Sequence, residues 1–275
     1  MALFMDQLLA RRLERAEASV AVSFVGLRQV AAPALEATWR DFEGTYAIYD
    51  GADSPFTQTF GLGLFAPLTT DALSEIERFF AERGAAAVHE VSPLAGIETF
   101  TLLADRGYRP LELGSVLVQE IDGAIEATAV PGFTVRMCED GDRATWVEAS
   151  SSGWSHVPEI APFTEIAIRN QAMAHFLVER DGHAIATGSL GIHDDVALLA
   201  GASTIPSARG LGAQGMLLGA RLVEARRRGC TVALMVATPG TTSQRNAERR
   251  GFRVAYTRTK WRRDLAKPIA RVGAM

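Results

Sequence analysis

Cysteine is scarce: Cys138 and Cys230 are the only two in 275 residues, far apart and without CxxC spacing. That excludes a disulfide scaffold and fits two packed thiols in a reducing, cytoplasmic setting. Histidine is nearly as sparse, with five residues and none paired at ligand spacing, so no metal centre is expected. No apolar run reaches the roughly 18 residues that a membrane helix needs. The N-terminus, Met1-Ala2-Leu3-Phe4-Met5-Asp6 followed by Arg11, Arg12, Glu14, Arg15 and Glu17, lacks a basic start with a long apolar run. It does not read as a secretory leader, and no membrane partner is expected.

What is present is the material of a large folded core. Hydrophobic residues make up 48% and charged residues 22%, and 275 residues suffice for two domains of roughly 100–200 residues each. Net charge is −4 but unevenly spread. Residues 245–275 hold ten Lys or Arg against two acids, Glu248 and Asp264, a balance of +8 that leaves −12 on the rest. A basic end of this kind either attracts a polyphosphate or forms the solvated face of a closing strand. The acidic body argues against a dedicated nucleic-acid binder.

Residues 6–19 carry Leu8, Leu9, Leu13 and Ala16 at helical spacing. Strand-like runs follow at 44–49 and 57–65. A helix over 71–83 can be capped by Thr69, Thr70 or Asp71 and is ended by Gly84. A strand at 86–91, a helix at 96–106 and a long strand at 111–121 complete the first half. Residues 122–132, DGAIEATAVPG, read as a linker, so the domains are expected at 1–125 and 131–275. The second half predicts strands at 133–138, 174–179, 183–193 and 196–205, with turns at Asp181-Gly182 and Asp194-Asp195. Helices are expected at 142–150 and 162–170. One more at 211–228, with Leu211, Leu218, Leu222 and Ala225 on one stripe, precedes a strand at 232–237, a helix at 243–250 and a strand at 252–262. The halves echo each other: Asp105-Arg106-Gly107-Tyr108-Arg109 parallels Arg249-Arg250-Gly251-Phe252-Arg253, and Val91-Ser92-Pro93 parallels Ala237-Thr238-Pro239.

The segment that carries chemistry is Ser203-Thr204-Ile205-Pro206-Ser207-Ala208-Arg209-Gly210-Leu211-Gly212-Ala213-Gln214-Gly215. Glycines let a backbone approach an anion closely, and the helix that follows adds unpaired N–H groups and its dipole. This is a pyrophosphate-binding pattern. Gly210-x-Gly212-x-x-Gly215 also satisfies a dinucleotide fingerprint. That reading wants an acidic residue after the next strand, where Thr238-Pro239 stands instead, and further βα repeats for which too little chain remains.

Thr204-x-Pro206-x-x-Arg209-Gly210-x-Gly212 resembles the acetyl-CoA motif of the GNAT-type N-acetyltransferases, V-x-P-x-x-R-G-x-G-x-G/A. Ser243-Gln244-Arg245-Asn246-Ala247-Glu248-Arg249-Arg250-Gly251-Phe252 resembles their second signature, a helix ending in Gly-Phe. The resemblance covers 133–264, and residues 1–121 look like a degenerate copy. It implies an α/β (α+β) fold of two tandem acyl-CoA N-acyltransferase-like domains, each a mixed, mostly antiparallel sheet flanked by helices. It further implies that Leu211, Gly212, Ala213, Gln214 and Gly215 cradle a pyrophosphate, with Arg209 and Gly210 at the mouth of the loop. Ala202, Ser203 and Thr204 would pair with the pantetheine arm, and Ser243 and Asn246 would line its other side.

Departures are visible as well. Gln214 stands where the pattern has Gly or Ala, which would crowd one phosphate contact and pass it to Gly215. Ala247 stands where the family often has the Tyr that protonates the departing thiolate; Tyr256 is near it in sequence. The strand at 196–205 lacks the Asp or Glu that many members place there. No general base or acid is assigned. Glu148, Trp154, His156 and Glu159 are the candidates for the acceptor pocket, since an attacking amine must be neutral. His89-Glu90 beside Ser92 lie on or just after one strand, where neighbours face opposite sides, and do not form a hydrolase triad. His193, Asp194 and Asp195 read as a hairpin turn. In the first half, Gly61-x-Gly63 leads to Asp71 rather than to an Arg-Gly-x-Gly loop, so no second cofactor site is expected. The resemblance thus implies an N-acetyltransferase using acetyl-CoA as co-substrate, without a metal. The acceptor would be an amine on a small molecule or a protein, and the chain could be oligomeric. A non-catalytic acyl-CoA-binding or sensing module is the alternative.

Overall fold

The structure, a computed structural model, describes residues 3–123, 125, 129–157 and 160–265. Helix α1 (Gln7–Ala31) opens at Asp6, whose carboxylate accepts the Leu9 N–H at 2.8 Å. It runs twelve residues past the expected end at 19. The stretch Ser19–Ser23 is rich in Val and Ser, poor helix formers alone, but Ala21, Phe24 and Val25 continue the buried stripe. Strand β1 (Thr38–Phe42), not anticipated because three of its five side chains are exposed, pairs with β2 (Thr45–Tyr49) across the Glu43-Gly44 turn. Both turn residues have positive φ, as a tight hairpin requires. β3 (Gln58–Phe60) is shorter than the run at 57–65, because turns begin at Gly61. Then come α2 (Thr70–Ala81), capped by Thr69, β4 (Ala87–Val91), α3 (Ile97–Asp105) and β5 (Arg109–Glu120).

Beyond the linker lie β6 (Phe133–Met137), α4 (Arg143–Gly153) and α5 (Ala161–Ala167). The antiparallel strands β7 (Met173–Arg180), β8 (His183–His193) and β9 (Val196–Thr204) follow. Arg180↔His183 and His193↔Val196 close them at the two expected two-residue turns. α6 (Ala213–Arg227), β10 (Val232–Ala237), α7 (Thr242–Glu248) and β11 (Arg253–Arg263) end the chain. The α6 stripe is corrected at its start: Leu211 lies before the helix and is exposed, while Leu218, Leu222 and Ala225 are buried.

The described residues form two compact units, one built from 5–114 with 257–265 and the other from 3–4 with 115–256. The division expected at 1–125 and 131–275 follows the chain, whereas the units divide within β5 and β11. The reason is pairing: residues 115–120 of β5 pair antiparallel with β10, and residues 259–263 of β11 with β4. Each unit is a mixed sheet with helices against it, and in each the strands are mostly antiparallel.

In the N-terminal unit Leu62, Leu73, Ile76, Phe80, Ala87 and Leu103 form a core. Several of its charges are paired, the Arg258 cluster among them buried. Arg258, 3% exposed, lies 2.6 Å from Glu17, 2.9 Å from Glu90 and 3.4 Å from Glu14. Lys260 reaches Glu90 and Glu112, Arg263 reaches Glu77, and Arg262 pairs with Asp264. The basic character of 258–263 therefore answers acids of the same unit rather than forming an open positive face. In the C-terminal unit, Val178, Ala186, Leu217, Ala225 and Ala233 are fully buried where α6 meets the strands. Both cysteines are free thiols. No helix among the described residues is long and apolar enough to cross a membrane.

Candidate active site

The site grows from the way β9 leaves its neighbour. β10 runs parallel to β9 only over Val196–Leu198, paired with Val232–Leu234, while β9 stays on β8 as far as Thr204. From Leu199 onward the β10 side of β9 is unpaired in the register, and a wedge opens between the strands. The β8–β9 ladder carries a bulge here: Thr187↔Ser203 and Ser189↔Ala200 enclose Gly188 on one strand but Gly201 and Ala202 on the other. Gly201 takes φ +59°, which suits a residue without Cβ. Ser203 is buried, 3.0 Å from the Thr187 hydroxyl, and α4 presses on it so closely that a Cβ at Gly153 would lie 2.4 Å from its Oγ.

The chain then turns at Pro206–Ala208, extends at Arg209, and enters α6 through Gly210 and Gly212, with φ of +81° and +94°. Among the described hydrogen bonds, none engages the backbone N–H of Gly210, Leu211, Gly212, Ala213 or Gln214. These donors surround the N-terminus of a 15-residue helix, where the dipole favours an anion. A Cβ at Gly210 would meet nothing within 4 Å, so the approach is open.

Three of the expected site residues have partners within the loop and its neighbours. The Gly215 N–H donates to the Gly212 carbonyl at 3.0 Å and is absorbed by the helix. Its missing side chain instead admits Arg250, whose guanidinium would lie 2.6 Å from a Cβ there. Gln214 does not crowd the loop, since its amide turns back to donate to Thr204 Oγ1 at 2.9 Å. Arg209 braces the loop from within, donating to the carbonyls of Thr204 (3.3 Å) and Gly153 (3.0 Å). α7, which packs against α6 and β10, carries exposed Ser243 and half-buried Asn246. Ala247 is fully buried in the core, and Tyr256 is buried on β11.

Of the acceptor candidates, three lie among the described residues. Glu148 is exposed on α4, away from the buried face of Trp146, Ala149, Ser150 and Gly153. Trp154 and His156 stack, with ring centroids 5.9 Å apart. Glu159 lies outside the described residues. A buried polar group that the sequence did not single out sits beside the bulge: His175 Nδ1 is 2.9 Å from Ser189 Oγ, and its ring meets the edge of Trp146. Burial lowers the His175 pKa, keeping the ring neutral. Among the described residues no cluster of His, Cys, Asp or Glu could hold a metal ion.

Residues 140–252 match the Acetyltransferase (GNAT) family. Within those bounds the segment is similar to a GNAT acetyltransferase domain. No curated protein matches the chain in sequence. Among solved structures, a GCN5-related N-acetyltransferase from Kribbella flavida superposes with a TM-score of 0.64 at 18% identity, covering 90% of this chain and 96% of that one. A tandem GNAT protein from the clavulanic acid biosynthesis pathway gives 0.59 at 13% identity, over 80% and 78%. A GCN5-related N-acetyltransferase from Sphaerobacter thermophilus gives 0.57 at 18%, over 83% and 75%. The chain has the tandem GNAT fold, and its wedge and glycine loop fall inside the matched segment.

The corresponding place in the N-terminal unit is filled. There β3 and β4 are the parallel pair, and the residues that pair, Thr59 and His89, are also joined through their side chains: Thr59 Oγ1 lies 2.8 Å from His89 Nδ1. His89 Nε2 lies 3.0 Å from the Tyr108 hydroxyl, which donates to Glu77. One tautomer satisfies the chain, with the proton on Nε2 and Thr59 donating to Nδ1. Burial pushes the His89 pKa down to about 3, so it is a neutral strut. Leu62 and Leu64 are buried where a phosphate loop would run, Arg11 holds the Leu64 carbonyl at 2.8 Å, and a Cβ at Gly63 would strike Thr99 at 2.4 Å. α2 begins under its own Thr69 cap with Asp71 in the first turn.

Proposed function

We propose that the C-terminal unit binds acetyl-CoA or a related acyl-CoA and transfers the acyl group to an amine. The observation that supports this most directly is the set of five unengaged N–H groups from Gly210 to Gln214 at the mouth of a parted strand pair. In this reading those groups and the α6 dipole hold the pyrophosphate, and Arg209 keeps the loop in shape. The β9 edge at Ala202, Ser203 and Thr204 runs along the pantetheine arm, with Ser243 and Asn246 on the opposite wall. Acetyl-CoA supplies an acyl group activated as a thioester: the nitrogen of a neutral amine attacks the carbonyl carbon, the C–N bond forms as the C–S bond breaks, and the proton lost from nitrogen balances the departing CoA thiolate as the thiol. The acceptor is an amine on a small molecule or a protein, and the setting is the cytoplasm.

One observation favours a second reading, a non-catalytic acyl-CoA sensor. Position 247 is a core alanine, so no hydroxyl there can protonate a leaving thiolate. Thiol release from acetyl-CoA across a panel of amines separates the two readings.

Donors aimed at a pyrophosphate on a helix N-terminus predict which ligands stabilise the fold. Acetyl-CoA or CoA at about 100 times its Kd should raise the unfolding free energy by about 2.7 kcal/mol, whereas NADH and NADPH should leave it unchanged. Thermal denaturation reads this. Stabilisation by a nicotinamide nucleotide and none by CoA would remove the basis of the reading.

A further inference from the structure

Arg221 is a buried cation for which the described residues supply no anion. It lies on α6, two turns beyond the glycine loop, in the stripe with Leu217, Leu218, Leu222 and Ala225, and is 1% exposed. Among the described residues no carboxylate pairs with it. Its guanidinium donates only to backbone carbonyls: Nε to Leu217 at 3.1 Å, and one terminal nitrogen to Ser189 at 3.2 Å and Ala200 at 3.4 Å. Burial lowers its pKa to about 10, which leaves it charged at neutral pH. A methionine of similar length would fill the same space without the desolvation of a charge. A charge kept there against that cost points to something the charge does.

The carbonyls it takes lead to the wedge. Ser189 and Ala200 are the pair that closes the β8–β9 bulge. Gly188 makes room for the guanidinium, which a Cβ at that position would approach to 3.2 Å. The Ala200 carbonyl and the Gly201 N–H occupy opposite edges of one trans peptide plane. Since the carbonyl is directed at the guanidinium, which also takes the Ser189 carbonyl of β8, the Gly201 N–H is directed away from Arg221. A cation bonded to the carbonyl end of a peptide draws electron density from its N–H end, which becomes a stronger donor.

We propose that Arg221 is a positioning residue for acyl transfer: it holds the bulge and polarises the Ala200–Gly201 peptide, so that the Gly201 N–H stabilises charge developing on the thioester oxygen. The inference rests on the acyl-CoA reading above. It differs from simple satisfaction of two carbonyls because it requires the charge, not merely a donor.

The test is isotope-edited infrared spectroscopy of acetyl-CoA labelled with carbon-13 at the thioester carbonyl, bound to the full-length protein. Binding should lower the carbonyl stretching frequency. Arg221→Met should abolish at least half of that shift while CoA, which lacks the acyl group, binds within threefold of the parent. Arg221→Lys should keep most of the shift. Gly188→Ala, which retains Arg221 but crowds its guanidinium away from the bulge, should reduce the shift in the same direction and decides the matter if Arg221→Met does not fold. An unchanged shift in either variant overturns the role of Arg221 and leaves the acyl-CoA reading standing. A parallel loss of CoA affinity makes Arg221 a structural brace and overturns it likewise. Failure of the parent protein to bind acetyl-CoA overturns both.

Discussion

Gly212→Asp should weaken CoA binding at least tenfold, about 1.4 kcal/mol, in a protein that remains folded. Gly212 stands at the N-terminus of α6 with φ +94°, amid the unengaged donors. An aspartate would set a carboxylate where the dipole and the N–H groups favour an anion, so it would compete with the phosphates as well as repel them. Two other effects accompany the charge. A Cβ there would approach Val130 to 3.1 Å, and the positive φ is strained for any side chain. Gly212→Ala carries both without the charge, so the difference between the two variants isolates the electrostatic part. Equal CoA affinity in the aspartate variant and the parent, measured by calorimetry, would mean that phosphates bind elsewhere.

The loop was legible because its requirements are local. Glycines, a proline and a helix start lie within thirteen residues, and each acts on its own neighbours. The turns at Asp181-Gly182 and Asp194-Asp195, and the strands they join, were legible for the same reason. What escaped detection depends on partners distant in the chain. Nothing near Gly215 indicates that Arg250 will lie over it. Nothing near Gln214 indicates that its amide will turn back to Thr204. β1 was missed because an exposed strand lacks the alternation by which strands are recognised. Two signals were present but unread: Gly201 inside a strand pattern marks a bulge, and Arg221 sits within the apolar stripe of α6. The excess of basic residues after 245 was plain, but its partners, Glu14, Glu17, Glu77 and Glu90, precede it by well over a hundred residues.

That pairing carries the second large effect. Arg258→Met should cost about 3–5 kcal/mol of stability, since it removes the buried guanidinium that lies against Glu14, Glu17 and Glu90. Lys260 remains within 3.2 Å of Glu90 and offsets part of the loss there, but it does not replace the two contacts Arg258 makes to Glu17. Arg262→Ala is the control. Its partner Asp264 is 80% exposed, and an ion pair of that kind contributes about 0–1 kcal/mol. Urea denaturation of the three proteins at neutral pH reads the difference. A loss below about 1 kcal/mol in Arg258→Met would show that the buried network is not what anchors β11 in the N-terminal unit.

One unit keeps an open anion loop on a parted strand pair, whereas in its counterpart the paired Thr59 and His89 are joined to Tyr108 by buried hydrogen bonds. Calorimetric titration of the intact chain with CoA tests this difference most directly. The account predicts a single site per chain, with a stoichiometry near one that Gly212→Asp weakens and His89→Gln leaves unchanged. A stoichiometry near two, or a single site untouched by Gly212→Asp, would contradict it.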